Sequence, residues 1–303
     1  MKVLIIGFGS IGKRHFEVIK NFQNIASADI VTKQNVDDIV SFKKLEDITD
    51  ISIYDYFIVA SETSKHYEQL KYICSKVDNK KILVEKPLYD KKYQDIESDN
   101  KIFTAYNLRF HPVLQKLKNL LNDKQVYYVN ILSGQYLPTW RPEQNYKESY
   151  SADINKGGGV LRDLSHELDY TRWIFGEFEK IDYINTKISD LEIDSDDIFT
   201  AIAITHKKSI INLTIDYISK VSMRKIVVHA NDYTIIADLI KNTIRIYDKE
   251  MKEEVIQFEN IDKNHTYIKM HQAILNDNYS EVCSFTSGKK IVDVIDSIKL
   301  KEL

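Results

Sequence analysis

Along residues 1–108, short and wholly apolar runs alternate with stretches whose apolar residues recur at helical spacing. Strands buried on both faces read as continuous apolar runs, so this alternation predicts βαβ units around a parallel sheet. The expected strands are Lys2–Ile6, Asp29–Thr32, Tyr56–Ala60, Ile82–Val84 and Ile102–Ala105. Helices are expected from near Ser10 and near Ser64, with weaker ones at Val36–Phe42 and Tyr93–Ser98. After Asn107 the pattern changes. Pro112–Leu121 reads as a helix, Val126–Leu132 as a strand, residues 136–159 as irregular, and Leu161–Phe175 as a helix. From Ile181 to Tyr247 strand-like runs dominate: Ile198–Ile204, Ile210–Ile215, Lys225–Ala230, Thr234–Leu239 and Thr243–Tyr247. Polar turns such as His206-Lys207-Lys208 and Asn231-Asp232 separate them, which favours antiparallel neighbours. Helical stretches near Thr266–Leu275 and Lys289–Leu300 follow. The pattern therefore predicts two α/β domains, residues 1–108 and 109–303.

Composition narrows the class. A chain of 303 residues with 43% hydrophobic positions has the length and apolar content for two ordinary cores. The net charge of −3, from 42 basic and 45 acidic residues, leaves no electrostatic footprint for a nucleic-acid surface. The Val3–Ile6 run is too short for a membrane span, and no secretory segment precedes it. Cys74 and Cys283 do not make a metal-ligand pattern and fit a reducing, cytoplasmic setting as small core residues. No His/Cys/Asp cluster has zinc spacing, so no catalytic metal is expected.

With only 9 glycines in the chain, Gly7-Phe8-Gly9-Ser10-Ile11-Gly12 carries weight. It directly follows a buried-strand run and opens a helix, the context in which G-x-G-x-x-G signifies dinucleotide binding. Gly7 permits the tight turn, Gly9 lets a pyrophosphate approach the backbone, and Gly12 lets helix and strand pack closely. The N–H groups of the first helical turn, Ser10 and Ile11 among them, face the anion. At the end of the second strand NAD recognition calls for a carboxylate. Thr32-Lys33-Gln34 stands there instead. Lys33 can pair with a 2′-phosphate, which tilts the cofactor towards NADP with NAD still possible; it is equally an ordinary exposed strand-end lysine.

Several segments, in order, resemble the glucose–fructose oxidoreductase/inositol dehydrogenase (Gfo/Idh/MocA) family: Gly7–His15, Ala60–His66, Glu85-Lys86-Pro87, Tyr106–Pro112, and Gly157-Gly158-Gly159 followed by Asp163, His166 and Asp169. Leu213–Tyr217 and Cys283–Ile295 resemble it more weakly. The resemblance implies a Rossmann domain followed by an α/β domain with a large, mainly antiparallel open sheet. It implies hydride transfer between a nicotinamide and a sugar, cyclitol or nucleotide sugar, and homo-oligomers, dimers or tetramers, formed through the sheet. It also implies that Lys86 reaches the reacting oxygen and that Asp163 and His166 handle the proton. One departure stands out: the family commonly places the Asp four residues before the His, and here the gap is three, with Arg162 at the fourth place.

The residues themselves admit these roles. Lys86 falls just past the carboxyl end of a parallel strand, where open α/β sheets bind ligands. On a continuous helix at about 100° per residue, Asp163 and His166 share the side opposite Leu161, Leu164 and Leu168 and can touch. Asp169 reads as an orienting group. Ser61, Thr63 and Ser64 read as caps of the following helix, and with His66 and Glu85 they also read as cofactor-binding residues. Asn107 and Arg109 bind substrate or tie the domains together. Trp140, Arg141 and Tyr146, in the aromatic stretch from Tyr136 to Tyr150, suit stacking on a sugar and pairing with an anion, or the packing of a structural loop. A non-catalytic NAD(P)-binding regulatory protein on the same fold is the alternative, because fold does not fix function.

Overall fold

The computed structural model describes residues 1–301 and divides into two compact units. The first comprises Met1–Phe110 and Asp262–Val294, the second His111–Ile261 and the chain from Ile295 onward.

The first unit opens with β1 (Lys2–Ile6), α1 (Ser10–Ile19), β2 (Ser27–Val31), β3 (Ser41–Phe42), β4 (Tyr56–Val59), α2 (His66–Cys74), β5 (Lys81–Val84) and β6 (Lys101–Thr104). The strands form one sheet in the order β3-β2-β1-β4-β5-β6, and every pairing is parallel. The order reverses at β1, between β2 and β4, and that switch point is where such sheets bind ligands. The strands are apolar because both faces are covered; Val3, Leu4, Ile5, Phe57, Ile58 and Leu83 are all fully buried.

Two expected helices are absent. Residues 36–40 bend before β3, with Asp38 in the left-handed region (φ 61°), a conformation no helix interior accepts. Residues 93–98 are irregular. There Tyr93 stacks on Tyr67 with centroids 4.1 Å apart, Asp95 pairs with Lys289 at 2.6 Å, and Ile96 packs on the core. Those tertiary contacts override a weak local preference.

The second unit contains α3 (Pro112–Leu120), β7 (Val126–Gly134), α4 (Val160–Asp163), α5 (His166–Phe175), β8 (Phe178–Thr186), β9 (Ile198–Thr205), β10 (Ile210–Asp216), β11 (Met223–Ala230), β12 (Thr234–Asp238), β13 (Thr243–Tyr247) and β14 (Glu253–Gln257). Its eight-stranded sheet runs β14-β13-β12-β11-β7-β10-β9-β8. All neighbours are antiparallel except β7 and β10. The helices lie on one face, α3 on β12 and β13, α4 on β9 and β10, α5 on β7. Burial alternates along each strand accordingly: Phe199, Ala201 and Ala203 point under the helices while Ile202 and Ile204 are exposed. β14, with its three polar residues in five, was not expected; it is an edge strand paired only with β13.

The expected helix 161–175 is interrupted. α4 ends at Asp163, Leu164 takes a non-helical φ/ψ of −97°/31°, and α5 begins at His166.

Residues 262–294, expected in the C-terminal domain, return to the first unit. α6 (His265–Leu275) buries Tyr267, Met270 and Ile274, at i, i+3 and i+7, against Val3, Ile5, Ile30, Tyr56 and Ile58. α7 (Phe285–Ser297) starts earlier than its apolar pattern, because the Ser284 hydroxyl accepts the Ser287 N–H at 3.2 Å as an N-cap.

Candidate active site

The glycine turn follows β1 at the switch point. Gly7 has φ +95°, and a Cβ there would stand 2.6 Å from the Ala60 carbonyl oxygen; on Gly12 it would stand 2.0 Å from that of Gly7. Both glycines are required because the chain meets itself. Gly9 is different: nothing lies within 4 Å of where its Cβ would be. It is the N-cap of α1, and no side chain bonds the first N–H groups of that helix. The space above Gly9, Ser10 and Ile11 is thus a cradle of donors at a positive helix end, and a dinucleotide pyrophosphate fits it.

On the same edge of the sheet, Glu85 and Lys86 follow β5. The Glu85 carboxylate is buried and both oxygens are engaged, Oε1 with His15 Nε2 at 2.8 Å and Oε2 with the Lys86 N–H at 3.0 Å. Lys86 is half-buried. His66 is buried, with Nδ1 facing the Pro87 and Leu88 carbonyls at 3.3 and 3.2 Å and Nε2 facing Ser61 O at 3.2 Å. Burial lowers its pKa, so it is a neutral clamp on the segment after Lys86. None of Ser61, Thr63 or Ser64 caps α2: Thr63–Lys65 form a 3₁₀ turn that runs straight into it, and the Ser61 hydroxyl donates to Gln69 Oε1 at 2.6 Å. Asn107 donates to the Thr266 hydroxyl at 2.7 Å within the same unit, and Arg109 is buried beside it in the chain. Lys33 is exposed at the end of β2. The sequence reading missed its neighbour Lys43, whose Nζ donates to Lys33 O, Gln34 O and Asn35 Oδ1 at 3.1–3.3 Å.

In the second unit Asp163 is buried at the end of α4. The hydroxyls of Tyr150, Ser151 and Tyr217 all donate to its carboxylate at 2.6 Å. Burial first, and then the Asp163 charge, pushes both phenol pKa values up, so both stay protonated donors. The helix breaks just after this tethered residue, so Asp163 and His166 do not share one helical face as the periodicity suggested. Trp140 meets the Tyr217 ring edge-on at 5.2 Å, and its buried indole N–H has no hydrogen-bond partner among the described residues. The Arg141 guanidinium lies 5.9 Å from the Tyr150 ring centroid. Trp140 and Arg141 therefore gather around Asp163 through its two tyrosines. Tyr146 instead accepts the Glu192 N–H at 3.4 Å. Asp169 is buried within α5.

The N-terminus of α4 has its own internal anion. Asp196 accepts the Leu161 N–H at 2.9 Å through Oδ2 and the Val160 N–H at 3.0 Å through its carbonyl. A Cβ on Gly159, which has φ +115°, would stand 2.1 Å from Asp196 Oδ1. Burial lifts the Asp196 carboxyl from 3.8 to about 6.

Residues 1–114 match the NAD-binding Rossmann-fold model of an oxidoreductase family, and residues 118–301 match the model of that family's C-terminal alpha/beta domain. The chain belongs to the Gfo/Idh/MocA oxidoreductase family. A curated relative, an uncharacterised oxidoreductase of Synechocystis sp., is 27% identical over 167 residues, 52% of this chain and 44% of that protein. The chain thus spans less than half the length of this relative. Solved structures resemble it across nearly its whole length. UDP-N-acetylglucosamine 3-dehydrogenase GnnA from Acidithiobacillus ferrooxidans has a TM-score of 0.76 at 17% identity, covering 97% of this chain and 95% of that one. Levoglucosan dehydrogenase in complex with NADH and levoglucosan has 0.80 at 15%, covering 98% and 96%. A super-repressor mutant of Gal80p from Saccharomyces cerevisiae has 0.81 at 12%, covering 98% and 94%. At these identities the likeness establishes the fold.

Proposed function

We propose that the protein is an NAD(P)-linked dehydrogenase or reductase acting on a CH–OH carbon of a sugar, cyclitol or nucleotide sugar. The observation that carries this reading is one sheet edge bearing both an open phosphate cradle at Gly9 and a half-buried lysine just past β5. A nicotinamide, when bound, supplies the hydride acceptor or donor. Lys86 donates to the reacting oxygen as negative charge grows on it. His166 takes the hydroxyl proton when the alcohol is oxidised and returns it in reduction. Asp163 orients His166, fixed in turn by Tyr150, Ser151 and Tyr217. Trp140 and Arg141 bind the substrate, the unpartnered indole N–H meeting one of its oxygens. Lys33 favours NADP over NAD.

The exposed apolar positions Ile184, Ile202, Ile204 and Ile210 on the open face of the second sheet support a homo-oligomer. No helix among the described residues is long and apolar enough to cross a membrane. The two cysteine thiols fit the cytoplasm, and the small net charge fits a protein that does not bind nucleic acid. The fold shared with a repressor favours a second reading, a non-catalytic NAD(P)-binding regulator.

The test is turnover of a panel of sugars, cyclitols and nucleotide sugars, followed by the absorbance of reduced nicotinamide. Lys86→Ala should lower kcat about 10²–10³-fold with cofactor affinity kept. His166→Ala should lower it about 10²–10⁴-fold and flatten the pH–rate profile near neutrality, with Asp163→Asn intermediate. Wild-type rates in both the Lys86 and His166 variants would sink the catalytic assignment. Cofactor binding without turnover of any compound would favour the regulator.

A further inference from the structure

Four buried polar side chains form a row through the first unit: Tyr56 of β4, His271 of α6, His15 of α1, and Glu85 after β5. The Tyr56 hydroxyl lies 2.9 Å from His271 Nδ1, His271 Nε2 lies 2.8 Å from His15 Nδ1, and His15 Nε2 lies 2.8 Å from Glu85 Oε1. The row ends on the chain itself, because Glu85 Oε2 accepts the Lys86 peptide N–H at 3.0 Å. The Tyr267 ring, also from α6, packs edge-on against His15 at 5.4 Å.

The proton positions follow from the ends of the row. His271 Nδ1 is the hydrogen-bond partner of the Tyr56 hydroxyl, and a buried hydroxyl proton needs an acceptor, so Tyr56 donates. Desolvation holds His271 neutral and Tyr56 protonated. The single proton of His271 therefore sits on Nε2 and is donated to His15 Nδ1. His15 then donates from Nε2 to the carboxylate, which only accepts. One assignment satisfies every group, and a reversed row leaves the Tyr56 proton buried without an acceptor.

We propose that His271 is a positioning residue for Lys86. By fixing the tautomer and ring of His15 it fixes the Glu85 carboxylate, and through that carboxylate the peptide from which the Lys86 side chain extends. The proposal rests on the reading of Lys86 as the group that meets the reacting oxygen, and it gives the returning segment 262–294 a part in that site.

The experiment compares wild type with His15→Phe, His271→Phe, His271→Gln and Tyr56→Phe. It reads the hydrogen-exchange rate of the Lys86 amide, the His15 tautomer by nitrogen NMR, and the affinity for NADH. Losing a buried hydrogen bond from the row should speed Lys86 exchange by about 10-fold in His15→Phe and about 5-fold in His271→Phe. NADH affinity should stay within about 2-fold, because the glycine cradle is untouched. His271→Gln retains a donor near the Nε2 position and should restore both the exchange rate and the single Nε2–H tautomer of His15. Where a substrate turns over, kcat should fall in His271→Phe with KM kept. Wild-type exchange in His271→Phe, or a Gln variant no better than the Phe variant, would overturn the proposal. Should His271→Phe not fold, Tyr56→Phe decides: it removes one hydroxyl, a rise of about 2-fold in exchange supports the row, and no rise overturns it. Failure of the catalytic reading shows separately, as an unchanged kcat in Lys86→Ala, and leaves the exchange result standing.

Discussion

Among the described residues α1 and α4 both begin on a glycine N-cap, and they use the same device to opposite ends. At α1 the N-terminal donors look into open space over Gly9. At α4 the equivalent donors are already occupied by Asp196, and Gly159 is glycine because that carboxylate lies against it. A helix N-terminus attracts an anion in either case. What separates a ligand site from a structural joint is whether the chain supplies the anion itself.

Substitutions can break this contrast. Gly159→Ala puts a Cβ onto Asp196 at a positive φ and should destabilise the second unit by about 3–5 kcal/mol, read as a lowered urea midpoint. Gly9→Val should leave folding intact by circular dichroism yet weaken cofactor binding about 10²-fold or more by calorimetry, because its side chain takes the place of the anion. If Gly9→Val binds normally, the two helix starts do not differ as described and the dinucleotide reading loses its basis.

Asp196 sharpens the contrast through pH. Its folded pKa of about 6 lies above the ordinary 3.8, so the folded state holds the proton more tightly than the unfolded chain. The associated stability is complete below about pH 4 and is lost as pH rises to about 6, a change of about 3 kcal/mol by linkage. Asp196→Asn should flatten urea midpoints across that window; an unchanged slope would show that Asp196 titrates normally. The smallest effect concerns a second anion beside the open cradle. Lys33→Ala should weaken NADP about 10-fold and leave NAD unchanged, measured as dissociation constants. Equal affinity of the wild type for both cofactors would remove the NADP preference.

The sequence was most legible where the signals are local. Strand, glycine turn and helix start lie within Lys2–Ile19, and each names the next. The antiparallel strands were equally plain, since burial on one face writes a period of two into β9 and β10. Legibility failed where distant groups decide. The break after Asp163 accompanies a bond from Tyr217, 54 residues further on, and the N-terminal anion of α4 comes from Asp196, 35 residues beyond Leu161. Neither distance leaves a trace in periodicity. The apolar stripe of α6 announced a buried face but could not say which sheet it covers. The edge strand β14 was hidden because an edge can remain polar. His15 stood within a recognised segment, yet nothing local tied it to His271, 256 residues away.

The return of residues 262–294 also orders the making of the protein. A ribosome that has released residues 1–261 has delivered every strand of both sheets. It has not delivered Tyr267, Met270, Ile274, Leu275 and Val282, the outer layer over Val3, Ile5, Ile30 and Ile58. Until those arrive, α1 covers its share of that face of the parallel sheet through Val18 and Ile19, but the part that α6 takes is left without its cover, and strands made early are among the last to be sealed. The closing contact spans a long loop, whose entropy cost grows only slowly with length. The hazard lies in the waiting time, during which an apolar surface invites association with other chains.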